Sequence, residues 1–189
     1  AWVKAVLKTI RIPRGALIAF EALYRSNQAY ATFGGVMSWL FTVGCGVLQG
    51  CPLSASLFVV AIDLLLFMFE KHLHDPLLGT VRACADDIGA TVRGPGVLLI
   101  LHGLFERMRK ASGLTLKPAK CVLIPLCCEC SESNVGVPRQ WLRQYLPQWA
   151  EIDIKGMGKY LGVFVGPSAG DNNWTAQVTK FLNRVNQIA

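Results

Sequence analysis

Hydrophobic residues recur along the chain with two different periods, which together predict a mixed α and β protein. A period near 3.6 predicts helices over residues 2–10, 14–25, 52–73, 97–112 and 174–188, and a shorter helix after a loop, near 141–146. A period of two predicts strands over 29–33 and 36–43, over 81–85 and 88–92, and, as a last hairpin, over 152–154 and 160–165. We therefore expect an α+β fold, with an antiparallel sheet and a central hairpin packed on helices.

The most apolar stretch spans residues 57–69 and contains a single charged residue, Asp63. A membrane span requires about 20 apolar residues, so this shorter run predicts a helix buried on nearly all sides within a protein core. Pro52 suits the first turn of that helix, and Ser54 or Ser56 can satisfy its free amides.

Two adjacent carboxylates, Asp86 and Asp87, lie between alternating segments in the stretch Cys84-Ala85-Asp86-Asp87-Ile88. This pattern predicts a hairpin whose turn is filled by Asp86 and Asp87. A tight turn prefers Asn-Gly or Asp-Gly, and neighbouring carboxylates repel each other unless a cation is present. Mg²⁺ is commonly coordinated by paired carboxylates when it also binds substrate phosphates. An ordinary solvated acidic turn explains the same five residues equally well.

Three further stretches occur in a fixed order around this hairpin. Residues 46–54 have the arrangement Gly-x-x-Gln-Gly-x-x-x-Ser, residues 113–120 are Gly-Leu-Thr-Leu-Lys-Pro-Ala-Lys, and residues 160–163 are Tyr-Leu-Gly-Val. Together with Ala-Asp-Asp at 85–87, this set resembles the palm domain of a reverse transcriptase. The stretches Gln-Gly-Cys-Pro-Leu-Ser and Tyr-Leu-Gly-Val are similar to those of the non-LTR (LINE-type) retrotransposon branch. The resemblance covers residues 44 to about 166.

The resemblance implies RNA-directed DNA synthesis with Mg²⁺ as cofactor, two ions being held by carboxylates. The roles it implies are catalysis for Asp86, Asp87 and Lys120, nucleotide and template binding for Gln49, Gly50, Ser54 and Cys84, and primer grip for Tyr160, Leu161 and Gly162. Asp86 and Asp87 are then also the metal ligands. For Lys120, an exposed lysine without a catalytic role is the alternative.

The family holds its metals with a third aspartate on an earlier strand, and this chain has no matching motif. The only acidic residue before Asp63 is Glu21, which lies in a helical pattern. We therefore expect the first catalytic strand and the fingers region upstream of Ala1. The chain also departs from the family pattern at Leu48 (often Arg), Ala55 (often Pro), Cys84 (usually aromatic) and Lys117 (usually Asn).

Composition narrows the class of protein without identifying it. The chain has 189 residues, of which 52% are hydrophobic and 16% charged, which excludes a disordered chain. Its net charge of +7 suits a polyanionic partner. No Lys or Arg lies between Arg25 and Lys71, and basic residues cluster over 107–120, so we expect one face to be positive.

The seven cysteines do not form the framework of a secreted disulfide protein, because their number is odd and several lie in or beside the motifs. An intracellular, reducing compartment is expected. Cys121, Cys127, Cys128 and Cys130 leave a zinc cluster as an alternative, although they do not form two C-x₂-C pairs and no histidine follows them.

Our interpretation is a partial palm domain over residues 1–166, followed at 167–189 by the start of a thumb or a connecting helix. Its expected partners are an RNA template, a DNA primer and deoxynucleoside triphosphates, with no membrane. Two alternatives stay open: a degenerate or domesticated relative that binds RNA without catalysis, and a structural domain of helices and sheets.

Overall fold

The structure, a computed structural model, describes residues 2–44, 46, 48, 50–73, 75, 77–127 and 132–188. It is mixed α and β, with 50% of the residues in helices and 20% in strands. The predicted combination of helices with small antiparallel sheets is therefore confirmed, while the palm fold itself stays a prediction.

The helices begin and end close to the predicted bounds, except for the fifth helix, which begins about nine residues earlier than predicted. They are α1 (Trp2–Thr9), α2 (Arg14–Leu23), α3 (Ser54–His72), α4 (Gly96–Ser112), α5 (Glu132–Tyr145) and α6 (Asn172–Ile188). Pro13 immediately precedes α2, a position where its missing N–H costs nothing. Gly113 ends α4 in the left-handed conformation, at φ 79°, which glycine adopts without steric cost.

The strands pair two at a time. They are β1 (Gln28–Phe33), β2 (Val36–Thr42), β3 (Gly79–Cys84), β4 (Asp87–Val92), β5 (Val122–Leu123), β6 (Asp153–Ile154), β7 (Gly158–Tyr160) and β8 (Val163–Val165). The pairs β1–β2, β3–β4 and β7–β8 are antiparallel hairpins, and β5–β6 is a short parallel pair. Gly34 and Gly35 both have positive φ and form the predicted two-residue turn of the first hairpin.

The core lies between α3, α4, the C-terminal half of α5 and the segment that follows α5. Its buried residues are Ile62, Leu65, Phe69, Leu73, Val97, Leu101, Leu104, Met108, Leu142, Leu146, Trp149, Ile152 and Ile154. One face of the β3–β4 hairpin packs against this core through Val81, Ile88 and Val92. The core therefore supports the predicted central hairpin from one side and does not cover its other face.

The prediction that α3 is buried on nearly all sides is wrong. Its buried side chains are Leu57, Ala61, Ile62, Leu65 and Phe69, which form one face, while Val59, Leu64 and Phe67 are 42–57% exposed. Among the described elements, α1, α4 and β3 make the main contacts with α3, and these leave one side of the helix exposed. The predicted serine cap is also wrong, because Leu53 is the N-cap residue and makes no side-chain capping bond. Within the described ranges, none of the helices has both the length and the apolar character of a membrane span.

The C-terminal third differs from the prediction in its pairing. Residues 153–154 pair in parallel with β5 instead of joining a hairpin with 160–165, and the hairpin is formed within 158–165. Its turn, Leu161-Gly162, has positive φ at both residues (49° and 88°), so two residues are enough to reverse the chain. The helix α5 is also longer than predicted, because Pro138 lies inside it and does not mark its start.

Candidate metal and nucleic-acid site

The two carboxylates lie at the tip of the β3–β4 hairpin, but the turn is displaced by one residue from the prediction. Cys84 pairs with Asp87, so the turn consists of Ala85 and Asp86, and Asp87 is the first residue of β4. Of the two turn residues only Ala85 has positive φ, 53°. Positive φ at the first turn position alone is the pattern of a type II′ turn, which favours glycine there. The tip therefore carries a strained alanine beside the carboxylates.

Strand alternation gives the hairpin an open face that carries polar groups. The exposed residues of this face include Arg82 and Cys84 on β3 and Asp87 on β4, and Asp86 is exposed in the turn. Among the described residues, neither carboxylate has an ion-pair or hydrogen-bond partner. Two adjacent, solvated carboxylates match the oxygen ligands that Mg²⁺ prefers, since Mg²⁺ is usually held by one or two carboxylates with substrate phosphates. The donor set therefore fits the implied metal.

Tyr160 joins the β7–β8 hairpin to the β3–β4 hairpin. Its hydroxyl donates a hydrogen bond of 3.3 Å to the carbonyl oxygen of Arg82. Its ring lies on Gly89, where an added Cβ would be 3.2 Å from both Cε2 and Cζ. Gly89 follows Asp87 by two residues on β4, so their Cα atoms are about 7 Å apart. The structure thus brings Tyr160 to the face that carries Asp87, with Leu161 and Gly162 in the adjoining turn.

A second group of predicted residues surrounds the start of α3. Gly50 is an exposed turn residue with φ 84°, and Gln49 lies outside the described residues. The Ser54 hydroxyl donates to the carbonyl oxygen of Leu48, and it also shares a 3.1 Å hydrogen bond with the hydroxyl of Tyr24. These bonds tie the loop before α3 to the residue that ends α2.

Sequence reasoning missed the polar roles of Tyr24 and Cys51. A local pattern does not link Tyr24 to a serine that lies 30 residues away. The backbone N–H of Leu53, aided by the Tyr24 hydroxyl and Ser54, lowers the pKa of the Cys51 thiol against the opposing effect of desolvation. Its position just ahead of a predicted helix is the one sequence feature that favoured such a shift.

The basic residues after the hairpin are exposed, as predicted. Those on α4 and the segment that follows it are Arg107, Arg109, Lys110, Lys117 and Lys120. Glu106 accepts from Arg109 Nε at 2.9 Å, so this one cation is partly neutralised. Lys120 ends a single turn of 3₁₀ helix, and no hydrogen bond or ion pair joins it to Asp86 or Asp87. Its catalytic role stays a prediction.

The cysteine cluster considered for zinc is only partly described. Burial raises the pKa of the Cys121 thiol, and its Sγ donates to the carbonyl oxygen of Lys117. Cys127 is exposed, while Cys128 and Cys130 lie outside the described residues. No group of three His, Cys, Asp or Glu suited to a metal occurs in the described part of the chain. The zinc alternative therefore stays open.

The fold and this site define a mixed α and β protein with paired carboxylates at a hairpin tip. Comparison with protein-family models gave no match, and a search of curated proteins gave none either.

Proposed function

We propose that this chain is part of the palm of an RNA-directed DNA polymerase of the LINE type. The observation that carries the proposal is the contact between two hairpins that the family uses together. Tyr160, next to the predicted primer-grip turn, lies on the hairpin whose tip carries Asp86 and Asp87, although Arg82 and Tyr160 are 78 residues apart. A solvated acidic turn gives no reason for this association.

Strain at both tips adds support. Ala85 and Leu161 are two of four non-glycine residues with positive φ among the described residues, and each lies in the turn of one of these hairpins. Such strain concentrates at functional sites, where surrounding structure holds the backbone in place.

The reaction we propose is phosphoryl transfer to a primer end. The 3′-hydroxyl of the primer gives up its proton to solvent, its oxygen forms a bond to the α-phosphorus of a deoxynucleoside triphosphate, and the bond from that phosphorus to the pyrophosphate oxygen breaks. Bound Mg²⁺ would neutralise the charge that develops on the transferring phosphate. Asp86 and Asp87 would hold the metal, and Lys120 would protonate the pyrophosphate. Gln49, Gly50, Ser54 and Cys84 would line the nucleotide and template site.

A second candidate is a relative that binds RNA without catalysis. The observation that favours it is the small number of carboxylates near the hairpin. Glu21, the only acidic residue before Asp63, is paired with Lys4 at 2.7 Å, and this contact lowers the pKa of Glu21. Glu21 therefore joins α1 to α2 and does not substitute for the third aspartate. The polymerase proposal requires that third carboxylate from outside this chain.

Iron-directed cleavage distinguishes the two candidates without requiring catalysis. Fe²⁺ takes oxygen ligands and, with ascorbate and peroxide, cuts nucleic acid close to where it is bound. The chain is mixed with a 5′-labelled DNA primer on a longer RNA template. We expect cuts within a few nucleotides of the primer 3′ end, suppressed by excess Mg²⁺ and lost in Asp86→Asn and Asp87→Asn.

The matched control is Asp63→Asn, which removes an exposed carboxylate on α3 and should leave the cuts unchanged. Binding of the duplex with cuts spread evenly along the primer would favour the non-catalytic relative. Localised cuts that persist in Asp87→Asn would overturn the metal site.

A further inference from the structure

Gly89 lies in the middle of β4, where backbone conformation does not require glycine. Its φ is not positive, unlike that of the glycines that form turns. Glycine weakens a strand interior and often marks a close approach of another group. Here that group is the ring of Tyr160, because a Cβ at position 89 would lie 3.2 Å from Cε2 and Cζ of the ring. The missing side chain therefore provides the space in which the ring lies.

The ring of Tyr160 spans both strands of the β3–β4 hairpin, the carboxylate hairpin that bears Asp86 and Asp87. Arg82 is the register partner of Gly89, and its carbonyl oxygen accepts the hydrogen bond from the Tyr160 hydroxyl. The ring thus contacts β4 while its hydroxyl binds β3. These two contacts fix where the ring of Tyr160 lies on the open face of the hairpin and how the ring is oriented there.

Tyr160 is also the last residue of β7, directly before the Leu161-Gly162 turn. Its place on Gly89 therefore sets how far that turn lies from Asp87, which is two residues from Gly89 on the same face of β4. A strand of nucleic acid held by the turn would have its end placed by this contact.

We propose that Gly89 and Tyr160 are positioning residues that hold the primer-grip turn at a fixed distance from Asp87. The proposal rests on the proposed function, since it assigns the strand on the turn to a primer with its 3′ end at the carboxylates. Neither residue touches the reacting atoms. Gly89 leaves the space that positions the ring of Tyr160, and Tyr160 in turn positions the Leu161-Gly162 turn that follows it.

Each hairpin has other supports, so loss of this contact should change their relative placement and not unfold them. The β3–β4 hairpin is held to the core by Val81, Ile88 and Val92. The β7–β8 hairpin is held by Asn173, whose amide exchanges two hydrogen bonds with the backbone of Phe164.

The test fills the space under the ring in two steps. In Gly89→Ala the ring must shift by a few tenths of an ångström, while in Gly89→Val the added methyl groups take its place and strand propensity improves. We expect the iron-directed cuts at the primer 3′ end to fall less than about threefold in Gly89→Ala and at least tenfold in Gly89→Val. Duplex affinity should change less than about threefold, and the melting temperature should not fall.

Two further variants show whether the effect passes through the ring. Tyr160→Phe keeps the ring on Gly89 but removes the hydrogen bond to Arg82, so the cuts should spread less than in Tyr160→Ala. In Tyr160→Ala the cuts should spread, and adding Gly89→Val should then have no additional effect. Unchanged cuts in Gly89→Val, or additive losses in the double variant, would overturn the inference alone. Absence of localised cuts in the unmodified chain would overturn the proposed function, and the inference with it.

Discussion

Replacing Ala85 with glycine should stabilise this protein, because Ala85 occupies the left-handed region at φ 53° in the turn of the carboxylate hairpin. A non-glycine residue in that region loses about 1–2 kcal/mol to steric conflict between its Cβ and the backbone. Glycine avoids the conflict but gives up about 0.5–1 kcal/mol in additional chain entropy. The difference leaves Ala85→Gly more stable by about 0.5–1 kcal/mol.

The matched control is the same substitution on the same hairpin at Ala90, which is exposed on β4 opposite Val81 and has no positive φ. There glycine relieves no strain, so Ala90→Gly should lower the free energy of unfolding by about 0.5–1 kcal/mol. The two variants should therefore change stability with opposite signs.

Thermal unfolding followed by circular dichroism measures both effects. For a chain of this size, 1 kcal/mol corresponds to a shift of about 2–4 °C in melting temperature. Ala85→Gly should melt higher than the parent by about 1–4 °C, and Ala90→Gly lower by a similar amount. A melting temperature for Ala85→Gly at or below that of the parent would refute the argument that the turn is strained.

Three further predictions concern the C-terminal helix, the cysteines and nucleic-acid binding. Asn173→Ala should lower the free energy of unfolding by about 1–2 kcal/mol, because both hydrogen bonds to the backbone of β8 are lost. Asn183 is exposed in α6, and since alanine favours a helix more than asparagine does, Asn183→Ala should raise the free energy of unfolding by up to about 0.6 kcal/mol. Denaturant unfolding compares these two variants, and equal effects would contradict the role of Asn173. Iodoacetamide near neutral pH should label Cys51 faster than Cys121, because the lowered pKa of Cys51 leaves more reactive thiolate and the raised pKa of Cys121 leaves less. Peptide mass spectrometry measures the two labelling rates. Faster labelling of Cys121 would contradict the directions of the two pKa shifts. Binding to an RNA–DNA duplex should weaken about 40-fold from 50 to 200 mM salt if the basic residues of 107–120 neutralise three phosphates, and an affinity that does not change with salt would exclude such binding.

The hydrophobic pattern predicted the carboxylate hairpin well and its turn less well, for one physical reason. Moving the turn from Asp86-Asp87 to Ala85-Asp86 changes the partner of Val81 from Val92 to Ala90. That change is two residues along β4, so every side chain keeps its face and a period of two cannot distinguish the alternatives. The pattern therefore predicts which side chains are buried but not the register.

Other features depend on contacts between distant segments, which periodicity does not contain. The stretch 57–69 is apolar on all sides, so its composition gives no indication of which face α1, α4 and β3 cover. The parallel pairing of β5 with β6 joins segments on either side of α5. The contact of Tyr160 with Gly89 is of the same kind, because a glycine among alternating residues does not show what approaches it.

The measurement that tests the polymerase proposal most directly is primer extension on poly(A) with oligo(dT), dTTP and Mg²⁺. It compares this chain with a longer polypeptide in which an aspartate-bearing strand precedes residue 1. Loss of a metal ligand removes several kcal/mol of transition-state stabilisation, and about every 1.36 kcal/mol is a tenfold change in rate. We predict no detectable extension by this chain, and extension by the longer polypeptide that Asp86→Ala or Asp87→Ala abolishes. Extension by this chain at a comparable rate, or none by the longer polypeptide, would contradict the proposal.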